Sequence, residues 1–290
     1  MPGRARLLWL AALVGLGVSL GLLPVFVRGE VPAVELVAMR VTLGAAVLVP
    51  ALWLTERPRV SRGEFAGIAV VAALLTLHWI TFFLAVQLTT VAVALAAVYL
   101  GPVLAAVAAG PFLGERAGIR AHLGLGLALV GTLVVVRPGA GVTAPGLAAG
   151  VASGILFGAF MIVGKRLVAR IGGLTLAAWE LVFAAAFLAP FTVRAAGRWA
   201  VEWPRFLLLG VVFTGLAGVL YWSAMRRLPV TTVGVVMYLE PTSAVVWSAV
   251  LLDEPLDLLG WLGVFAVVGG GILASLEVPE EVPAGGPAAL

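Results

Sequence analysis

Tyr99-Leu100-Gly101-Pro102 returns 139 residues later as Tyr238-Leu239-Glu240-Pro241. The same offset carries Leu113-Gly114-Glu115 onto Leu252-Asp253-Glu254, Leu123-Gly124 onto Leu262-Gly263, and Gly131 onto Gly270. It also aligns Phe82-Phe83 and Ala85 with Tyr221-Trp222 and Ala224. Near the start, Leu10-Ala11-Ala12 with Gly17 and Gly21 matches Leu147-Ala148-Ala149 with Gly154 and Gly158, at an offset of 137. One tetrapeptide recurs easily by chance. Matches held in register across most of both halves do not, so the chain reads as two copies of one unit.

The composition says what solvent those copies need. Of 290 residues, 62% are hydrophobic and 11% charged, and the mean hydropathy is +1.16. Soluble domains are about 45–50% apolar and about 25% charged. So much apolar surface cannot hide in one water-soluble core, and lipid must take the excess. Disorder, a collagenous repeat, a secreted disulfide scaffold and an ordinary cytosolic enzyme are excluded. With no cysteine and only His78 and His122, no metal site and no cofactor is expected.

Apolar stretches near 20 residues, the length that spans a bilayer, number ten: 7–27, 32–54, 64–86, 89–112, 119–137, 144–165, 174–193, 205–225, 230–252 and 258–276. The first is long enough to read as a membrane helix rather than a cleaved leader. The longest connection, 194–204, carries Trp199 and Trp203, residues suited to a membrane interface. The tail 277–290 is polar and rich in Pro and Gly, and is expected to be a disordered cytoplasmic extension.

The fold expected is an all-α integral membrane protein of ten transmembrane helices. Its units are 7–137 and 144–276, each of five spans. Five is odd, so the second unit lies inverted relative to the first, as in many secondary transporters. With the N-terminus inside, twelve Lys and Arg fall on the inner side, among them Arg57, Arg59, Arg62, Arg116, Lys165 and Arg170. Five fall outside: Arg28, Arg137, Arg194, Arg198 and Arg205. The asymmetry puts both termini in the cytoplasm. The pI of 10.3 accompanies a net charge of only +4. Its basic residues sit between apolar runs rather than in one stripe, which argues against nucleic acid as a partner.

The motifs Tyr99-Leu100-Gly101-Pro102 with Phe112-Leu113-Gly114-Glu115, and Tyr238-Leu239-Glu240-Pro241 with Leu251-Leu252-Asp253-Glu254-Pro255, resemble the ten-helix EamA-type transporters of the drug/metabolite transporter superfamily. The resemblance covers residues 7–276. It implies a protein of the cytoplasmic (inner) membrane that exports or exchanges small metabolites, often amino acids, amines or nucleotide-derived compounds. It also implies a central cavity between the two repeats.

Glu240 is the sharpest single signal. It lies about ten residues into its span, hence roughly 15 Å deep, near the middle of a hydrocarbon core about 30 Å thick. A charge there costs at least roughly 2.5–3.5 kcal/mol unless paired or wet. It reads as a partner for a cationic substrate, as a proton-coupling site, or as a structural carboxyl bonded to a neighbouring helix. Pro102 and Pro241 break their helices at matching places, and paired breaks point to a transporter's binding site; a packing kink is the alternative. Tyr99 and Tyr238, three residues earlier, are candidates to bond substrate or to cap a backbone carbonyl. His78-Trp79 lies deep in the third span, opposite Ala217-Gly218 in the repeat, as a cavity wall, a proton relay or a buried neutral pair. Trp222 and Trp179 read as aromatic walls or as packing. Glu35 and Glu180, near the starts of spans two and seven, are candidate gates with Arg40 as a partner, or interfacial charges. Glu115, Arg116, Asp253 and Glu254 read as solvated charges at span ends.

Gly150, Gly154 and Gly158 fall on one helix face, and Gly17 and Gly21 repeat the pattern, so close helix packing is expected there. Gly158 to Lys165 only superficially resembles a phosphate-binding loop, since Arg166 stands where Ser or Thr is needed. The expected function is therefore a monomeric secondary transporter in membrane lipid. It would export a small-molecule substrate by alternating access, with protons as a candidate coupling ion. A non-transporting membrane binding or scaffold protein, and a membrane-embedded enzyme, are the alternatives.

Overall fold

The computed structural model describes residues 3–23, 31–55, 58, 60–89, 91–115, 117–137, 142–251 and 257–276. Leu252 to Pro255, Arg28, Arg57, Arg59, Arg116 and the tail 277–290, which the sequence reading drew on, lie outside the described residues. Among the described residues every regular element is helical. In chain order these are α1 (Gly3–Leu20), α2 (Ala33–Thr55), α3 (Arg62–Leu88), α4 (Val91–Val98), α5 (Leu100–Leu113), α6 (Ile119–Val136), α7 (Ala144–Ile171), α8 (Gly173–Phe187) and α9 (Ala189–Ala195). After a short 3-10 turn, Ala196–Arg198, come α10 (Trp199–Leu207), a π-helical stretch Leu208–Leu216, α11 (Ala217–Met225), α12 (Val230–Met237), α13 (Leu239–Leu251) and α14 (Leu258–Ser275).

Among the described residues seven helical runs are long and apolar enough to cross a membrane, and two shorter apolar helices accompany them. This is a multi-pass membrane protein. Its outward surface bears this out: Leu54, Val107, Ile119 and Phe265 are each more than half exposed, which water would penalise and lipid does not.

Helix starts follow local chemistry. Ser61 and Glu64 form a reciprocal capping box at the start of α3, satisfying two otherwise orphaned N–H groups. The Thr143 hydroxyl accepts from Gly146 N–H at α7, and Asp257 accepts from Gly260 N–H at 2.8 Å at α14. The connection expected as a loop over 194–204 is helical instead, through α9, the 3-10 turn and α10. Its Trp199 and Trp203 are partly exposed, as interfacial residues would be.

The expected proline breaks are present, and each falls at a tyrosine. α4 gives way to α5 at Tyr99, and α12 to α13 at Tyr238. Proline at position i has no N–H for the carbonyl at i−4 and collides with it. For Pro102 and Pro241 those carbonyls belong to Val98 and Met237, immediately before the breaks.

Matched residues make matched contacts. A Cβ on Gly154 would lie 2.7 Å from Ala97 O, and one on Gly17 would lie 3.3 Å from Val236 O. Gly158 faces Gly101 O at 3.0 Å in the same sense, as Gly21 faces Glu240 O at 2.9 Å. Gly124 packs on Gly270 and Gly131 on Gly263, so α6 and α14 run antiparallel at backbone contact. Lipid offers no hydrophobic drive between helices, so such small-residue contacts supply much of the packing. An apolar core from α1, α2, α3, α5, α7, α8, α11 and α12 buries Leu13, Val37, Ile68, Met161, Leu176, Trp222 and Val233.

Candidate functional site

A cavity of about 640 Å³ opens inside this bundle. Spans three, four, eight and nine line it. Spans one, two, six and seven contribute as well, through Leu16, Arg40, Phe157, Phe160 and Glu180. Its walls are chiefly aromatic and aliphatic, and its polar side chains are few: Arg40, His78, Tyr99, Glu180, Thr214, Tyr221 and Glu240. That combination is typical of small-molecule sites.

Arg40 is 4% exposed. Its Nε donates to Thr214 Oγ1 at 3.0 Å and its Nη2 to Phe213 O at 3.3 Å. Both acceptors lie in the π-helical stretch. There the Thr214 hydroxyl donates to Leu209 O, five residues back, at 2.7 Å, a spacing that suits the wide turn. π turns recur at functional sites because they free backbone groups. The guanidinium lies 5.0 Å from the Trp79 ring centroid, a cation–π contact worth about 0.5–2 kcal/mol. Glu240 and Tyr99 share the cavity lining with Arg40. Glu240 and Tyr99 are therefore cavity residues, as expected.

Tyr238 is different. It is fully buried and is not among the lining residues. Its hydroxyl donates to Tyr99 O at 2.6 Å, and the two rings sit 5.1 Å apart. The two tyrosines thus join the two helix breaks. Pro102 and Pro241 are buried beside the cavity rather than lining it. His78 lines it, but its Nδ1 engages Ser153 Oγ at 2.8 Å and Ser153 Oγ donates back to His78 O at 3.0 Å. Phe157 stacks on the imidazole at 4.9 Å.

Trp222 forms one end of the cavity. Its ring fits against Gly164, where a Cβ would stand 2.0 Å from Cη2. Its Nε1 donates to Glu180 Oε1 at 2.6 Å. Glu180 is 3% exposed; it sits in the cavity wall and not at a membrane interface. Trp179, by contrast, packs edge-on against Phe65 at 5.0 Å and is not a lining residue. Glu35 lies outside the cavity, 3.3 Å from Arg198. Arg40 thus shares the cavity lining with Glu180 and Glu240, whereas Glu35 pairs with Arg198.

Glu115 is more than a solvated end charge. It lies 3.1 Å from Lys165 Nζ and accepts Val230 N–H at 2.7 Å. Lys165 also donates to Met225 O and Leu228 O at 2.5 and 2.7 Å. One ammonium and one carboxyl thereby pin together the ends of α5, α7, α11 and α12, and no cavity-lining residue belongs to that pin. At the other end of the bundle Arg137 meets Asp257. Arg137, with help from Gly260 N–H, holds the exposed Asp257 carboxyl below its usual range.

Sequence reasoning missed Phe157, Phe160, Thr214 and Tyr221 as lining residues. Tyr221 carried a signal, since it stands at the repeat position of Phe82. Thr214 and the two phenylalanines had none beyond their spans.

The EamA-like transporter family model matches residues 6–137 and 144–276. An uncharacterised protein of Pseudomonas aeruginosa is 32% identical over 283 residues, 93% of this chain and 94% of that one. The threonine/homoserine exporter RhtA of Salmonella typhimurium is 25% identical over 299 residues, 97% of each chain. A solved crystal structure superposes with a TM-score of 0.80 at 22% identity, covering 95% of this chain and 99% of that one; at that identity the likeness concerns the fold.

Proposed function

This chain belongs to the EamA-like transporter family, and from that premise we propose that it is a secondary exporter of small amino acids and amines. It acts as a monomer in the cytoplasmic membrane, with both termini inside. Its ten membrane helices form two inverted five-helix repeats that rock about the central cavity. The residue-for-residue equivalence of the glycine contacts and the antiparallel pairing of α6 with α14 support that symmetry. Such symmetry serves access from two faces.

The observation that carries the reading is the cavity itself: Arg40 and Glu240, opposite in charge, stand in one aromatic-walled chamber beside the two helix breaks. Arg40 meets the carboxylate of a substrate, and Glu240 exchanges a proton for it. A zwitterion fits the pair, and the substrates named for RhtA, threonine and homoserine, are zwitterions. The Lys165–Glu115 pin closes the cytoplasmic end while the cavity is loaded or emptied on the other side.

Counterflow of radiolabelled homoserine and a panel of amino acids in proteoliposomes tests this. Saturable flux is expected, accelerated by a pH gradient and abolished or made pH-independent by Glu240→Gln. Saturable binding without flux would make the protein a binding module instead.

A further inference from the structure

Glu180 and Tyr221 each keep one buried polar atom unbonded. Trp222 bonds one Glu180 oxygen, Oε1. The other, Oε2, is buried with no hydrogen-bond partner among the described residues, and so is the Tyr221 hydroxyl. The two side chains are electrostatic neighbours and both line the cavity. Two polar atoms kept from water and left unbonded are costly in a folded protein.

Space lies beside them. A Cβ on Gly218 would meet nothing closer than Ala177 Cβ at 3.8 Å and Glu180 Oε1 at 3.9 Å. The residue 139 positions earlier is Trp79, whose indole fills the corresponding place and lies against Arg40. The place beside Gly218 is open, and it borders Glu180, whose Oε1 lies nearest and whose Oε2 is the unbonded oxygen.

The chemistry of that pocket selects its ligand. Glu180 accepts, and the phenol can accept or donate. Of the other lining residues, His78 is engaged with Ser153, and Arg40, held by Thr214 and Phe213 O, is a cation that repels an ammonium group. Phe160 and Trp222, with ring centroids 4.8 Å apart, supply faces that attract a cation. We propose that Glu180, Tyr221 and Gly218 form a second subsite, distinct from Arg40 and Glu240, that takes the ammonium group of a primary amine. The inference rests on reading the cavity as the transport site, and it adds where the amine end of a substrate docks.

Titration of the purified full-length protein with benzylamine, benzyl alcohol and benzoate tests it. Wild type is expected to bind benzylamine about tenfold or more tightly than benzyl alcohol, and benzoate least, as a charge-assisted bond requires. Glu180→Gln keeps an acceptor for the Trp222 N–H, so a merely structural role would leave this preference intact; on the proposal the preference falls to about threefold or less. Gly218→Ala meets only ordinary contacts. It should keep the wild-type Tm and weaken benzylamine about tenfold, and it decides the matter if Glu180→Gln does not fold. No amine preference in wild type, or a full preference in either folded variant, overturns the subsite. Glu180-dependent benzylamine binding without flux in proteoliposomes would keep the subsite and remove the transporter reading. Flux with amine selectivity independent of Glu180 would do the reverse.

Discussion

The two sides of the central cavity use related positions for different ends. On one side Trp79 fills the space, and Arg40 lies over it with its donors held by the π-helical stretch. On the other side Gly218 leaves the space empty, and Glu180 is held by one bond from Trp222. A duplicated scaffold has become a chemically polar chamber by a change from indole to hydrogen at one repeat position.

Removing the cation should break this contrast most severely. Arg40→Met removes the guanidinium from the cavity and leaves the buried Thr214 and Phe213 acceptors without their donors, a loss of roughly 1–3 kcal/mol. Amino-acid flux should fall by about 100-fold or more, and near-normal flux would remove Arg40 from the site. Next comes the support of the other side. Gly164→Ala would drive a methyl into the Trp222 ring, and overpacking costs typically 1–3 kcal/mol. The Tm should fall, and the Trp222–Glu180 bond should be lost with it. An unchanged Tm would mean the ring can move aside.

A subtler change would make the two sides alike. Trp79→Gly opens the Arg40 side and removes the cation–π contact. Affinity for a zwitterion should drop about five- to tenfold, in line with about 1 kcal/mol for such a contact, and discrimination between ligand orientations should weaken. Tighter binding would show that the indole obstructs rather than positions. The smallest effect is expected far from the cavity. Asp257→Asn removes an exposed charge beside Arg137 but keeps a side-chain oxygen to cap α14. Because the Asp257 carboxyl is held below its usual range, its ion pair contributes above the ordinary aspartate pKa, about 3.9, and is lost only as acid protonates it. Flux at pH 7 should be unaltered, and Tm nearly so; a large loss would tie that end of the bundle to the cavity.

Much of this was legible in the sequence. The membrane character, the repeated motifs and the positions of the helix breaks followed from apolar length and from proline's missing N–H, which act locally. Glu240 stood out because a carboxyl deep in an apolar run is expensive wherever it points. Arg40 stood out for the same reason, but its partner could not be read. Glu35 and Glu180 looked alike on paper, each an acid near the start of a span. Yet Glu35 lies beside Arg198, and Glu180 is buried against Trp222. Tyr99 and Tyr238 occupied identical motif positions, and only one lines the cavity.

What the sequence by itself determined was the solvent, the duplication and the places where helices fail, because hydropathy and backbone chemistry are properties of short stretches. What only the tertiary structure decided was which polar groups meet: Arg40 with Thr214, Lys165 with Glu115, Tyr238 with Tyr99. Those pairings join residues 50 or more positions apart. They depend on the rotation and depth at which one helix packs on another, and glycine-to-backbone contacts between distant segments set both.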